Sequence, residues 1–433
     1  MSVGVTVDLE YGPKAGGHLK CWERFAAAAE RYRREVDLTV YALGDAEAIV
    51  PIASNVRFHL LPPRRGTRAL GLEQGGGHTD LAGFHPDLAR RLKRHNVLHI
   101  TSAFALSRTA AHCARERRRP LIASVHTDLA AFTRIYTNDV LANLFGTGRV
   151  CAAAARLLPV ADFCGRVMER RTTRLLAQCD RVLVSDENMR RRVALRVPAN
   201  KLGFLRRGID IELFSPRRRD RAALLDRYRV PGDPIMLMFV GRIDATKRAL
   251  HSAQIVHALA ARGYDVHLLA VGEGRDSAAI KSLLGPRVSL PGNVPQHRLA
   301  WLYASADLFV FPSVTETYGN VVLEAKASGL PVFVQKGAAT AALVAAHGVD
   351  GVAVAGTGVE AWVQALIPYV ADMFARRTLS LGARRFTEEF WSGWRTVFEQ
   401  DLLSVWRDAT DASGGLDRAA SDPRLGLRPA AVA

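Results

Sequence analysis

Residues 307–335 read D-L-F-V-F-P-S-V-T-E-T-Y-G-N-V-V-L-E-A-K-A-S-G-L-P-V-F-V-Q. Leu308–Phe311 is a short apolar run suited to a strand buried on both faces of a parallel sheet. Pro312 and Ser313 end it, Gly319-Asn320 supplies a turn and a helix cap, and residues 321–328 have helical length and periodicity. Gly329 stands where a helix C-terminus favours glycine, and Pro331 opens the next strand, 332–334. Strand, loop, helix, strand is the repeating unit of a doubly wound α/β domain. Glu316 falls in the loop at the strand's carboxyl end, and Glu324 lies about one turn into the helix, near free N–H groups that favour anions. Taken singly, Glu316 is an ordinary loop acid and Glu324 an acid that complements the helix dipole. An acid, a Gly-Asn turn and a helix start converging at one strand end point instead to a ligand site.

The string T-E-T-Y-G-N-V-V-L-E-A-K-A-S-G-L-P-V (315–332) resembles the E-x7-E motif of retaining GT-B glycosyltransferases, specifically glycosyltransferase family four. It looks most like bacterial members that move mannose, glucose-type or sulfoquinovose units onto lipids and polysaccharides. The resemblance implies an α/β fold of two doubly wound, Rossmann-like domains facing each other across a cleft. It also implies that Glu316 contacts the donor sugar and Glu324 the nucleotide's ribose, with Tyr318, Gly319, Asn320 and Val321 around the donor.

Length and charge agree with two globular domains. At 433 residues the chain exceeds one ordinary core. No apolar run approaches the roughly 20 residues needed to span a bilayer, and the start lacks a basic-then-apolar leader, so the expectation is a cytoplasmic protein. Five cysteines without a C-x-x-C pair argue against a disulfide framework and for reduced thiols. The net charge of +17 is uneven: residues 1–216 carry 34 Lys+Arg against 21 Asp+Glu, leaving 25 and 21 beyond. A basic first domain suits a polyanionic neighbour, such as an anionic membrane surface, nucleic acid or a phosphorylated acceptor; an Arg-rich surface is also expected from a GC-rich genome.

In chain order, an apolar strand at 3–7 leads into a glycine loop and a helix over 19–33. Gly16 and Gly17 permit close approach of a phosphate to backbone, and they match the family's glycine loop. Further strands lie at 38–43, 56–60 and 97–100, with a Pro/Gly/Arg-rich loop at 62–85 and a basic helix at 87–95. His95 and His99 straddle a helix–strand boundary, which makes a metal pair improbable. A strand over 120–125 ends in H-T-D. His126 there is a residue that family members use on the donor sugar or acceptor hydroxyl, while a lone His in such a place is usually structural. Asp128 and Tyr136, with Phe132, either line the acceptor pocket or simply pack. Arg166, Arg170, Arg171 and Arg174 fall in a helical stretch, as a membrane-facing stripe or a solvated face.

Residues 207–216, R-G-I-D-I-E-L-F-S-P, resemble the family's hinge and place the domain boundary near Pro216. Domain two opens with a strand at 235–240 and then G-R-I-D-A-T-K. Gly241, Arg242 and Lys247 resemble the family's diphosphate clamp, in which a planar guanidinium and a mobile ammonium meet one anion. The next strand ends at Gly272 in G-E-G-R, too short a glycine pattern for a dinucleotide fingerprint. Residues 288–295 fit the segment that cradles the base, through Val294. Domains are thus expected at 1–216 and 217–390, with a returning helix at 391–408 and a disordered tail at 409–433.

The expected activity is retaining, metal-independent transfer of a hexose-type unit from a UDP- or GDP-sugar to a hydroxyl of a membrane lipid or lipid-linked glycan. Arg242, Lys247, Glu316 and His126 are its catalytic candidates. No D-x-D occurs, and the Arg/Lys pair can do a metal's electrostatic work, so neither metal nor cofactor is expected. A soluble or polysaccharide acceptor is the nearest alternative, and an epimerase or phosphorylase on the same fold is another. A basic nonenzymatic nucleic-acid- or sugar-binding protein is the alternative of a different class. Zinc and aromatic RNA-binding motifs are missing, which disfavours nucleic acid.

Overall fold

The computed structural model of the chain describes residues 1–12, 17–67, 79–126, 128–145, 159–316 and 318–421. Its internal contacts divide it into two compact units, Met1–Arg206 with the segment from Arg395 onward, and Arg207–Trp394.

The first unit is built on eight strands: β1 (Ser2–Glu10), β2 (Asp37–Leu43), β3 (Ala48–Ala53), β4 (Val56–Leu61), β5 (Val97–Ile100), β6 (Leu121–Val125), β7 (Arg181–Val184) and β8 (Leu202–Phe204). Their order is β3-β4-β2-β1-β5-β6-β7-β8. All neighbours are parallel except β3 and β4. The order reverses between β1 and β5, and ligands of open α/β sheets collect beyond the carboxyl ends at such a reversal. Val3, Val5, Val97, Leu98 and Ile122 are buried, as expected for strands covered by helices on both faces. Strand β3 was not foreseen in the sequence. Its Pro51 is tolerated because β3 is an edge strand, paired on one side only.

The second unit holds β9 (Ile235–Val240), β10 (Val266–Val271), β11 (Val288–Gly292), β12 (Leu308–Phe311), β13 (Val332–Gln335) and β14 (Val352–Val354). These run parallel in the order β11-β10-β9-β12-β13-β14, and the reversal falls between β9 and β12. Phe239, Phe309 and Phe311 stack along its centre, with ring centroids 5.7–5.8 Å apart.

Two expectations need correction. The segment 207–216 packs with the second unit and not the first: Ile209 and Phe214 enter its core, and the Ile209 amide donates to Ser392 O at 3.1 Å. The tail expected to be disordered from 409 is helical as far as Ser421. Leu402, Leu403 and Trp406 anchor the chain just upstream in the first unit, and extending a helix already nucleated costs little. Among the described residues no helix is long and apolar enough to cross a membrane. Arg166, Arg170, Arg171 and Arg174 are carried on the helix Val160–Ala177, where all four are exposed together with Phe163.

Candidate active site

Strand β9 delivers Gly241, Arg242 and Lys247 to its carboxyl end. Asp244 organises this loop: its carboxylate accepts from the Lys247 amide at 3.2 Å and from Thr246 Oγ1 at 2.6 Å, and lies 3.3 Å from Arg242 Nη1. Arg242 Nη2 donates to Thr246 Oγ1 at 3.0 Å. The guanidinium is therefore held in place by its own loop, as preorganised charge requires. Gly272, at the end of β10, has φ +135°, and a Cβ there would stand 1.9 Å from Gly241 O. Only glycine lets the two strand-end loops lie backbone to backbone. The Gly241 amide donates to Val271 O at 3.0 Å and the Ile243 amide to Glu273 O at 2.9 Å, so β9 and β10 stay joined past their ends.

Strand β12 delivers Thr315, Glu316 and Tyr318. Lys247 Nζ donates to Glu316 Oε1 at 2.5 Å, and Thr315 Oγ1 donates to Thr246 O at 2.9 Å. These contacts tie the loop after β9 to the loop after β12, 69 residues later, across the reversal of strand order. The helix Asn320–Ala327 begins at once, with Gly319 as its N-cap at φ 90°. Asn320 is its first residue and no side-chain cap forms, contrary to the Gly-Asn cap expected. A Cβ on Gly319 would meet Thr340 Cγ2 at 2.5 Å, so a side chain there is excluded twice over, by φ and by space. Glu324, half-buried in this helix, accepts from the hydroxyl of the fully buried Tyr303 at 3.3 Å. Val321 and Val294 pack partly buried against the unit's core, and Tyr318 lies under the Arg207 guanidinium, 5.6 Å from the ring centroid.

A buried cation underlies this helix. Lys326 has no solvent exposure; Nζ donates to Leu343 O at 2.6 Å and Asp350 Oδ2 at 2.7 Å, and sits 3.6 Å from the Phe386 ring centroid. Asp350 also accepts from the amides of Ala345 and Ala346. Burial lowers Lys326 from its ordinary 10.5 to about 8, against the opposing pull of Asp350. The unfolded chain thus keeps this proton to higher pH than the folded chain, so this group adds stability as pH rises from about 8 to 10.5 and none below. Lys326→Met should remove that part of the rise. Urea midpoints of both proteins at about pH 7.5 and about pH 9.5 would show it.

In the first unit, Gly17 starts the helix Gly17–Ala29; Gly16 lies outside the described residues. His18 stacks on His126 with ring centroids 4.2 Å apart, which brings the glycine turn and the end of β6 together. His126 is 4% exposed, and its Nε2 is 2.7 Å from Ser124 Oγ. Asp128 accepts from the Ala131 amide at 3.0 Å and from Arg192 Nη2 at 2.7 Å. Burial pushes its pKa up, but those bonds together outweigh it and lower the value, so the carboxylate caps the helix Leu129–Phe145. Tyr136 is half-buried beside Phe132, with ring centroids 6.1 Å apart. His95 and His99 are each bonded inside the unit, and no cluster of metal-ligating residues occurs among the described residues.

Arg242, Lys247, Gly241, Gly272, Glu316 and Gly319 are thus gathered at one edge of the second sheet, and Gly17 and His126 at one edge of the first. The sequence reading missed Asp244 and Thr246, whose i+2 and i+4 spacing from Arg242 was a usable signal. It also missed Asp8, buried near the end of β1. Burial raises the pKa of Asp8 against its bonds from Ser102, Ser107 and the Leu106 amide, which open the helix Ala105–Arg117.

Comparison with known proteins bears on the family and the fold. Residues 16–213 match the family model Glycosyltransferase Family 4, and residues 234–372 match Glycosyl transferases group 1. A GDP-mannose-dependent alpha-mannosyltransferase of Mycolicibacterium smegmatis is 32% identical over 65% of this chain and 65% of its own length, just under two thirds. The protein of that name from Mycobacterium tuberculosis is 31% identical over 67% of this chain and 68% of its own. Among solved structures, Anabaena Alr3699/HepE in complex with UDP and glucose superposes with a TM-score of 0.66 at 16% identity, covering 93% of this chain and 98% of that one. With both sheets doubly wound and both family models matched in order, the chain belongs to glycosyltransferase family four and has the GT-B fold.

Proposed function

We propose that the chain is a retaining, metal-independent hexosyltransferase that moves a sugar from a nucleoside diphosphate to a hydroxyl of a membrane lipid or lipid-linked glycan. The observation that carries this reading is the Lys247–Glu316 contact, which joins an ammonium and a carboxylate at the β9/β12 reversal, on the same loop where Asp244 and Thr246 hold the Arg242 guanidinium. Arg242 and Lys247 offset charge on the departing diphosphate, and Glu316 orients the sugar through its hydroxyls. Glu324 and the Gly319 turn hold the ribose and phosphate end, with Val294 beside the base. In the first unit Gly17 and His126 serve the transfer site, and Asp128 and Tyr136 are assigned to the acceptor.

The acceptor oxygen bonds to the anomeric carbon, the bond from that carbon to the diphosphate oxygen breaks, and the diphosphate takes the hydroxyl proton. Retention by double displacement would need a carboxylate on the sugar's opposite face. The sequence offers no clear candidate for it, so same-face attack assisted by the leaving phosphate is the reading adopted. The names of the mycobacterial relatives put GDP-mannose first among donors. The arginines of the helix Val160–Ala177, with Phe163 61% exposed beside them, favour an anionic lipid surface as the acceptor's setting.

The test is a donor panel (GDP-mannose, UDP-glucose, UDP-galactose, UDP-glucuronate, UDP-sulfoquinovose) with mixed membrane lipids and mass detection. One donor should shift a lipid by one hexose, and EDTA should leave the rate unchanged. Nucleotide release without a lipid shift would move the acceptor to a soluble molecule. A changed nucleotide sugar without any acceptor would make the protein an epimerase.

A further inference from the structure

A buried line of hydrogen bonds in the first unit begins on its last helix and ends on His126. Trp406 and His99 are fully buried, and Ser124 and His126 nearly so. An indole N–H only donates, so Trp406 Nε1, 3.1 Å from His99 Nδ1, fixes that nitrogen as an acceptor. Burial lowers the His99 pKa to about 3, which keeps the ring neutral, and its one proton is therefore on Nε2. That proton goes to Ser124 Oγ at 2.8 Å. The hydroxyl's own hydrogen then has one acceptor left among Ser124's partners, His126 Nε2 at 2.7 Å. Packing holds the line in place: Trp22 meets His99 edge-on at 5.2 Å, and His18 stacks on His126. A π turn over Phe398–Leu403 precedes Trp406. Such a turn inserts a residue into the helical ladder and rotates the downstream residues by about 100° relative to an unbroken α-helix.

We infer that Trp406, acting through His99 and Ser124, fixes His126 as the tautomer protonated on Nδ1, so that His126 serves sugar transfer as a hydrogen-bond donor and not as a proton-accepting base. Trp406, His99 and Ser124 are then positioning residues. The inference rests on the assignment of His126 to the transfer site. With Nε2 accepting from Ser124, any hydrogen bond that His126 makes through Nδ1 is one in which the ring donates.

The full chain, labelled with 15N-histidine and assigned by comparison with His126→Gln, tests this directly. His126 should show a protonated Nδ1 and an unprotonated Nε2. Ser124→Ala and Trp406→Phe should each give a tautomer mixture, and each should lower kcat for GDP release from GDP-mannose by about tenfold with KM nearly unchanged. Ser124→Ala deletes one oxygen, so it decides the matter even if loss of the indole unfolds the protein. A protonated Nε2 in the unaltered protein overturns the inference, and so does a shifted tautomer with unchanged kcat. Normal turnover of His126→Ala would instead remove His126 from the site, a separate failure that the ring-nitrogen spectrum of the unaltered protein does not share.

Discussion

Arg242→Ala should lower kcat for sugar transfer by about 100- to 1,000-fold, the effect of losing one preorganised donor to developing negative charge, or about 2.7–4 kcal/mol in the barrier. Asp244 and Thr246 hold the guanidinium at the end of β9, so its organisation is complete before any substrate arrives. A contribution of that kind appears in kcat and kcat/KM together, with donor KM nearly unchanged. Near-normal turnover would exclude the diphosphate clamp. Lys247→Met should fall in the same range but not add to the first change, because both cations act on one anion. Removing Lys247 also leaves Glu316 without its ion-pair partner, so part of its effect would enter through the sugar contact.

Asp350→Ala should cost about 3–5 kcal/mol of stability, since it leaves a buried ammonium uncompensated. Lys326 would retain Leu343 O and the Phe386 ring but lose its only counter-ion among the described residues, and the amides of Ala345 and Ala346 would lose their acceptor. Urea unfolding at neutral pH measures it. Lys326→Met in the same background should recover much of the loss, because an apolar chain of similar length has no charge to strand. A cost below about 1 kcal/mol for Asp350→Ala would mean that water reaches the ammonium.

Most strands of the two sheets were legible because parallel strands covered on both faces read as unbroken apolar runs, as in Ile235–Val240 and Leu308–Phe311. The three-residue strands Leu202–Phe204 and Val352–Val354 are too short to show such a run. The loops after β9 and β12 were legible because Gly241, Arg242, Lys247, Glu316 and Gly319 sit at short, recognisable spacings. Lys326 was not, since a lysine in a helix reads as solvent-facing until its partner 24 residues on is known to lie beneath it. Trp406 and His99 are 307 residues apart, and no local pattern marks such a contact. Strand β3 was missed because mostly exposed residues and a proline lack the apolar signature of its neighbours.

The division of the chain at Arg206 and Arg395 bears on the order in which the protein can finish folding. The second unit is one continuous stretch, complete once Trp394 has been synthesised. The first unit begins earlier but needs Phe398, Leu402, Leu403 and Trp406 in its core, and Arg206 binds Asp401 through four hydrogen bonds. On the ribosome, the half that starts first is therefore the half that closes last.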